Sequence, residues 1–320
     1  AMKVLVADRF SETAQARIAE SGMEVINAPD LRDGALTQAV AESEATILIV
    51  RSTLVEAATL NAGAESLRLI IRAGAGFNTI DVATASKLGI QVANCPGMNA
   101  RAVAEIAFGL ILSLDRSIHD NVIDLRNGRY DKAGYSDAPG LYGKTLGIIG
   151  LGYTGRAMLP LATALGMYVM AWSRSLTPDR ASEFGVRRME TPLDVASASD
   201  IVSVHVALND NTRLMIDETF LNAMKPGAYL INTARSEVVD ETALAEAVRL
   251  KGIKVGVDVF EGEPSTGTGT VDNPLFALPG VIGTHHIGGA TLQAHQAIAD
   301  ETVRIALEFA SSGVVLNSVE

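Results

Sequence analysis

Thr145-Leu146-Gly147-Ile148-Ile149-Gly150-Leu151-Gly152-Tyr153-Thr154-Gly155 decides the fold. An apolar run stops at a glycine, two more glycines follow, and a helical pattern begins. Gly150 permits the tight turn. Gly152 lets the backbone approach a pyrophosphate at the helix N-terminus, whose dipole favours an anion. Gly155 allows close packing of helix on strand. Lying after an apolar strand and before a helix, the motif predicts a dinucleotide-binding βα unit, with Tyr153 and Thr154 among the cofactor contacts.

Working outward, the chain alternates strand and helix patterns on both sides of this loop. Before it, short apolar runs at 2–8, 45–50, 68–72 and 90–93 are separated by helical patterns at 12–21, 34–42, 55–62 and 81–88. A long helical stretch, 99–119, follows, with Asn99 as N-cap and Glu105 in its second turn, then a polar loop from Asn127 to Gly140. After the loop, strands are expected at 145–149, 167–172, 186–189, 200–206, 228–232, 253–258 and 281–284. Helices are expected at 153–165, 178–184, 192–198, 240–250 and 291–311. The segment Thr266-Gly267-Thr268-Gly269-Thr270 is expected to be mobile. Two β/α series in one chain predict an α/β protein with two doubly wound, parallel-sheet lobes.

The bulk properties narrow the function classes. The 320 residues suit about two domains. A formal charge of −11, from 26 basic and 37 acidic residues, leaves no electrostatic footprint for nucleic acid or anionic membranes. No apolar run approaches the roughly 20 residues of a spanning helix. Met2-Lys3-Val4-Leu5-Val6-Ala7-Asp8 reads as a first strand rather than a signal peptide. Cys95 is the only cysteine, which excludes an intrachain disulfide and fits a reducing cytoplasm. No metal site is expected.

The strand ending at Trp172 leads into Ser173-Arg174-Ser175. An acid at Ser173 would hold the ribose hydroxyls of NAD and repel the extra phosphate of NADP. Serine followed by arginine can accept that phosphate, so NADP(H) is favoured, with NAD(H) as the alternative.

Three later phrases carry the chemistry: Asn232-Thr233-Ala234-Arg235, Asp258-Val259-Phe260-Glu261-Gly262-Glu263-Pro264, and His286-Ile287-Gly288-Gly289-Ala290-Thr291. A cation, a carboxylate and an imidazole downstream of a dinucleotide loop suit reduction of an α-keto acid. The arginine holds the substrate carboxylate, the imidazole moves the proton on the carbonyl oxygen, and the carboxylate favours the protonated imidazole. A nicotinamide supplies or accepts the hydride.

With these residues in hand, nearly the whole chain resembles the D-isomer-specific 2-hydroxyacid dehydrogenase family. The carrying phrases are Gly150 to Arg156, Met224-Lys225-Pro226-Gly227-Ala228 through Asn232-Thr233-Ala234-Arg235, Asp258-Val259-Phe260 with Glu263-Pro264, and His286 to Thr291. The resemblance implies a flavodoxin-like substrate lobe, residues 1–98 with 291–320, and an inserted Rossmann lobe, 99–290. It implies an active site in the cleft between lobes. It also implies a homodimer joined partly through 99–119 and the loop after it. Arg235 would bind the substrate carboxylate, His286 would be the acid–base group and Glu263 its partner. Glu263 argues against the formate dehydrogenase branch, where glutamine is usual. His285 replaces a usual proline and leaves open which ring faces the substrate. Backbone N–H groups of Ala75 and Gly76 would contact the carboxylate. Thr233 and Ala234, through the backbone, and Asp258 would lie by the nicotinamide. Ser236 stands where glycine is common.

The N-terminal lobe is most similar to the 3-phosphoglycerate dehydrogenase branch, through Ile49-Val50-Arg51-Ser52-Thr53 and Asn99-Ala100-Arg101-Ala102-Val103-Ala104-Glu105. Arg51, helped by Arg72 or Arg101, would meet a substrate phosphate. The appended regulatory domain of longer members is not expected. Ser173-Arg174 points instead to an NADPH-dependent glyoxylate/hydroxypyruvate reductase. A dinucleotide-sensing binding protein of the corepressor type shares fold and cofactor and is the alternative from another class.

Overall fold

The computed structural model describes residues 2–265 and 267–319; Ala1, Glu320 and Thr266, the first residue of the expected Thr/Gly loop, lie outside them. The chain divides into two compact units, Ala1–Asn99 with Ala290–Glu320, and Ala100–Gly289.

The first unit opens with β1 (Lys3–Val6), α1 (Glu12–Glu20), β2 (Glu24–Asn27), α2 (Asp33–Ser43), β3 (Ile47–Val50), α3 (Ala57–Ala62), β4 (Leu69–Arg72), α4 (Val82–Lys87) and β5 (Gln91–Ala93). Its strands stand in the order β2-β1-β3-β4-β5, all parallel. This is the flavodoxin-like order. Both faces are covered, so Leu5, Leu48 and Val50 enter one core while Val4, Val6, Ile47 and Ile49 enter the other. β2 was not expected. As an edge strand it buries neither end residue, and Glu24-Val25-Ile26-Asn27 lacks the apolar run of a central strand.

The second unit contains α5 (Ala100–Arg116), α6 (Ile118–Arg126), β6 (Thr145–Ile149), α7 (Tyr153–Ala164), β7 (Tyr168–Trp172), α8 (Pro178–Phe184), β8 (Arg187–Arg188) and α9 (Pro192–Ala198). It continues with β9 (Ile201–Val204), α10 (Glu218–Ala223), β10 (Tyr229–Asn232), α11 (Glu241–Lys251), β11 (Lys254–Val257) and β12 (Val281–Gly283). The parallel sheet runs β8-β7-β6-β9-β10-β11-β12. That is the Rossmann order with a seventh strand added. Ile149 and Leu230 face one core, and Ile148 and Ile231 the other.

The expected single helix 99–119 is two helices. Ser117 sits at φ 47°, in the left-handed region, and breaks the run. α6 buries none of its residues, so its apolar side chains Ile118, Ile123 and Leu125 stay exposed. α10, also not expected, is short: Asp217 caps it by accepting from Phe220 N, and Phe220 and Leu221 anchor it. The chain returns to the first unit as α12 (Leu292–Ser312) and β13 (Ser318–Val319). β13 pairs antiparallel with β5, so that sheet is not wholly parallel. Among the described residues no helix is long and apolar enough to cross a membrane, and no group of three His, Cys, Asp or Glu is placed to hold a metal.

Candidate active site

The Rossmann sheet is in register along its C-terminal edge. Trp172, Ile149, Val204, Asn232, Val257 and Gly283 stand side by side across six adjacent strands. The next residues along the chain are Ser173, Gly150, His205, Thr233, Asp258 and Thr284. Arg235 and His286 follow three residues after their strand ends (232 to 235, 283 to 286). Strand order reverses between β6 and β9, the place where such sheets bind ligands.

The glycine loop sits at that reversal. Gly150 has φ +96°, and a Cβ there would meet the His205 carbonyl oxygen at 2.7 Å. A Cβ on Gly155 would run into the Gly150 carbonyl oxygen. Gly152 faces open space and caps α7 without a side-chain hydrogen bond; no acid occupies the first turn. The first N–H groups of α7 are therefore free for an anion. Tyr153 is exposed, with the Arg156 guanidinium 5.1 Å from its ring centre. At the end of β7, Ser173 is half-buried and Arg174 exposed.

His205 did not emerge from the sequence. Its N–H donates to Ile149 O at 2.7 Å, and its Nε2 lies 2.7 Å from Ser203 Oγ. Burial pushes its pKa down to about 4. A neutral ring thus backs the glycine turn. The available signal was a histidine directly after an apolar strand, but the same pattern fits any strand-end loop.

After β10, Asn232 closes a tight turn: its Oδ1 accepts from Ala234 N and its Nδ2 donates to Arg235 O, each at 3.0 Å. The half-buried Arg235 guanidinium donates to Ala234 O at 2.7 Å. Thr233 Oγ1 is buried without a hydrogen-bond partner among the described residues.

Asp258 organises the histidine loop. Its Oδ1 accepts from Thr284 Oγ1 at 2.6 Å and Ile287 N at 2.9 Å, and its Oδ2 accepts from Gly288 N at 2.7 Å. Its carbonyl accepts from His286 N at 2.9 Å. His286 is held at φ +53°. Its Nδ1 lies 2.8 Å from Glu263 Oε2, while Glu263 Oε1 accepts from Phe260 N at 3.0 Å. A carboxylate only accepts, so Nδ1 carries a proton and Nε2 is the ring atom free to exchange one. His285 and His286 are both exposed, and of the two only His286 has a carboxylate partner among the described residues.

In the first unit, Ala75 O accepts from Asn94 Nδ2 at 2.6 Å, and no described residue takes the N–H of Ala75 or Gly76. Arg51 is exposed, with Nη1 3.2 Å from Arg9 O. Arg101 pairs with Glu105 along α5.

Residues 108–288 match the family model of the D-isomer specific 2-hydroxyacid dehydrogenase NAD binding domain. Hydroxypyruvate reductase of Thermotoga maritima is 37% identical over 81% of this chain and 83% of its own. The chain belongs to the D-isomer specific 2-hydroxyacid dehydrogenase family. Within it, D-3-phosphoglycerate dehydrogenase of Mycobacterium leprae is 35% identical over 95% of this chain. The match spans only 56% of that longer protein. The crystal structure of a glyoxylate reductase from Paecilomyes thermophila superposes with a TM-score of 0.89 at 25% identity, covering 100% of this chain and 98% of that one.

Proposed function

We propose that this protein is a D-2-hydroxyacid dehydrogenase that moves a hydride reversibly between a nicotinamide dinucleotide and a 2-keto acid. The observation that carries the reading is the His286–Glu263 pair, positioned with Arg235 on loops from adjacent strand ends of a sheet that also bears the glycine loop. A dinucleotide fits the residues present. The open face at Gly152, the uncapped start of α7 and the unpartnered Thr233 Oγ1 all lie on that edge. Gly150, Gly152, Tyr153, Thr154 and Gly155 would hold the pyrophosphate, and Thr233 and Ala234 the nicotinamide end.

The bound nicotinamide supplies or accepts the hydride. Arg235 binds the substrate carboxylate by its planar fork. Nε2 of His286 gives its proton to the carbonyl oxygen during reduction and takes it back during oxidation. Glu263 fixes the ring and stabilises the imidazolium. Asp258, with both carboxylate oxygens engaged by 284–288, positions the histidine loop, and it lies on the same sheet edge as Thr233 at the nicotinamide end.

Ser173 and Arg174 favour NADPH over NADH, since no carboxylate stands where the ribose hydroxyls of NAD would be read. Arg51 favours a phosphoglycerate dehydrogenase-like substrate; NADPH dependence favours a glyoxylate/hydroxypyruvate reductase. The exposed apolar side chains of α6, with Tyr130 just beyond, suit a homodimer face. A reducing, cytoplasmic setting agrees with one buried cysteine. The decisive experiment measures kcat/KM for NADPH and NADH with 3-phosphohydroxypyruvate, hydroxypyruvate and glyoxylate. Turnover of any of them supports the dehydrogenase; cofactor binding without turnover favours a dinucleotide-sensing protein.

A further inference from the structure

Glu241 is the first residue of α11, a place where an acid ordinarily sits in water beside the helix's positive end. Here it is buried, with 8% exposure. Its Oε1 accepts from Glu261 N at 2.8 Å, and its Oε2 accepts from Asn273 Nδ2 at 2.7 Å. The same Nδ2 donates to Glu261 O at 3.1 Å. Asn273 Oδ1 accepts from Leu275 N at 2.9 Å and so caps the 3₁₀ turn Pro274–Ala277. Glu241 and Asn273 thus close a ring around one residue, gripping both the N–H and the C=O of Glu261. Gly262, at φ +83°, then turns the chain toward Glu263, whose Oε2 lies 2.8 Å from His286 Nδ1. Before the grip, Phe260 packs edge-on against Phe276 of the 3₁₀ turn, with ring centres 4.8 Å apart. Burial raises the Glu241 carboxyl above the usual carboxylate range, and the charges of Glu261 and Glu263 push the same way. A cavity of about 420 Å³ opens beside Glu241, Glu261 and Asn273, so the acid is not there to fill a core. Its two accepted hydrogen bonds explain why a carboxylate is kept in so unfavourable a place.

We propose that Glu241 and Asn273 are positioning residues for the proton transfer: by fixing the backbone of Glu261 they hold Glu263 against Nδ1 of His286. This rests on the dehydrogenase reading and deepens it, adding two residues that act through Glu263. Both oxygens of Glu241 are required. A glutamine in its place turns one oxygen into NH₂, which then faces either Glu261 N–H or the Asn273 amide. Asn273 cannot turn its oxygen to meet that NH₂ without presenting its own NH₂ to Leu275 N. One side of the grip on Glu261 is therefore lost however the amides flip. Glu263, two residues on, then loses its fixed approach to the ring.

The test follows reduction of hydroxypyruvate and glyoxylate by NADPH in wild type, E241Q, N273A and E263Q, and in the doubles E241Q/E263Q and N273A/E263Q. Ring ¹⁵N shifts of the histidines, with H286A identifying the His286 signals, report the tautomer without any substrate. E241Q and N273A should each lower kcat about tenfold or more with KM changed less than about twofold, a part of what a general acid–base group supplies. In the E263Q background the same substitutions should change kcat by less than about twofold, because the group they act through is gone. The neutral His286 ring should carry its proton on Nδ1 in wild type and shift toward Nε2 in both variants. Wild-type kcat and tautomer in both variants, alongside a lowered melting midpoint, overturn the proposal and leave the pair as a structural brace. Equal losses of kcat with and without Glu263 overturn it as well. If no keto acid turns over in wild type, the dehydrogenase reading fails, and the tautomer alone decides the positioning: moved in the variants it supports the proposal, unmoved it refutes it. Melting and NADPH fluorescence check the fold, and if E241Q does not fold, N273A, which leaves α11 whole, carries the same measurements.

Discussion

Replacing Asp258 by asparagine changes one atom and should dismantle the histidine loop. Asp258 is buried, and its two oxygens accept from Ile287 N and Gly288 N separately, with Thr284 Oγ1 as a third donor. Asparagine turns one oxygen into an NH₂ group. Whichever way the amide is flipped, one backbone N–H then faces a donor. Losing a hydrogen bond to a charged group, with a buried N–H left unmatched, costs about 2–4 kcal/mol. His286 sits at a left-handed φ of +53°, a conformation that itself costs about 1–3 kcal/mol and persists only where its surroundings impose it. The two terms are comparable, so the loop should relax and carry the ring off its bond to Glu263. At about 2–4 °C per kcal/mol for a unit of this size, D258N should lower the melting midpoint by about 4–16 °C. It should lower kcat more than tenfold, since a displacement of about 1 Å in a catalytic group can cost about a hundredfold. Calorimetry and steady-state reduction, with cofactor affinity measured by NADPH fluorescence, read all three quantities. A melting midpoint within about 1 °C of wild type, with weaker cofactor binding, would refute the argument and return Asp258 to a direct contact with the nicotinamide.

His286→Ala should lower turnover by about 100–10,000-fold with cofactor binding retained, whereas H285A should be mild; the reverse pattern in the same assay reassigns the acid–base group. Gly155→Ala forces the helix away from the glycine turn, an overpacking of about 1–3 kcal/mol, and should weaken NADPH binding by about tenfold or more in a fluorescence titration. R174A should raise the KM for NADPH far more than that for NADH, and equal effects would remove Arg174 from the phosphate. His205 has a folded pKa of about 4, below its unfolded value, so the neutral ring contributes stability that is complete above about pH 6.5 and is lost as pH falls toward 4. Discounted for the part of the residue that solvent reaches, the effect is on the order of 2 kcal/mol. Urea midpoints for wild type and H205Q should therefore converge as the pH drops through that window, and parallel curves would contradict the assignment.

What could be read from the chain follows from how parallel sheets bury themselves. Ile47-Leu48-Ile49-Val50 and Thr145-Leu146-Gly147-Ile148-Ile149 are covered on both faces, so their apolar runs announce central strands. β2 and β13 are edges with one neighbour each, and their composition carries no such mark. Ser117 belongs to a sequence that is helical on both sides. The break is a backbone choice that side-chain periodicity does not record.

The site shows the same division. Arg235, Glu263 and His286 were legible because their chemistry is in their side chains and their phrases resemble a known family. Asp258 and His205 act on backbone groups: one accepts N–H bonds from a loop 29 and 30 residues away, the other places its carbonyl where Gly150 must turn. Such roles depend on register, and register is set by six strands together. Once Trp172, Ile149, Val204, Asn232, Val257 and Gly283 align, the loops after them must share one edge, and each loop needs an internal anchor to resist collapse onto its neighbours. Asn232 anchors the Arg235 turn and Asp258 the His286 turn, each by a side chain at or just past a strand end that accepts backbone N–H groups of its own loop or of the next. The precision of the proposed proton transfer thus draws on two residues whose side chains hold loop backbone, which is why D258N, conservative in shape, is the sharper probe of this site than removal of the histidine itself.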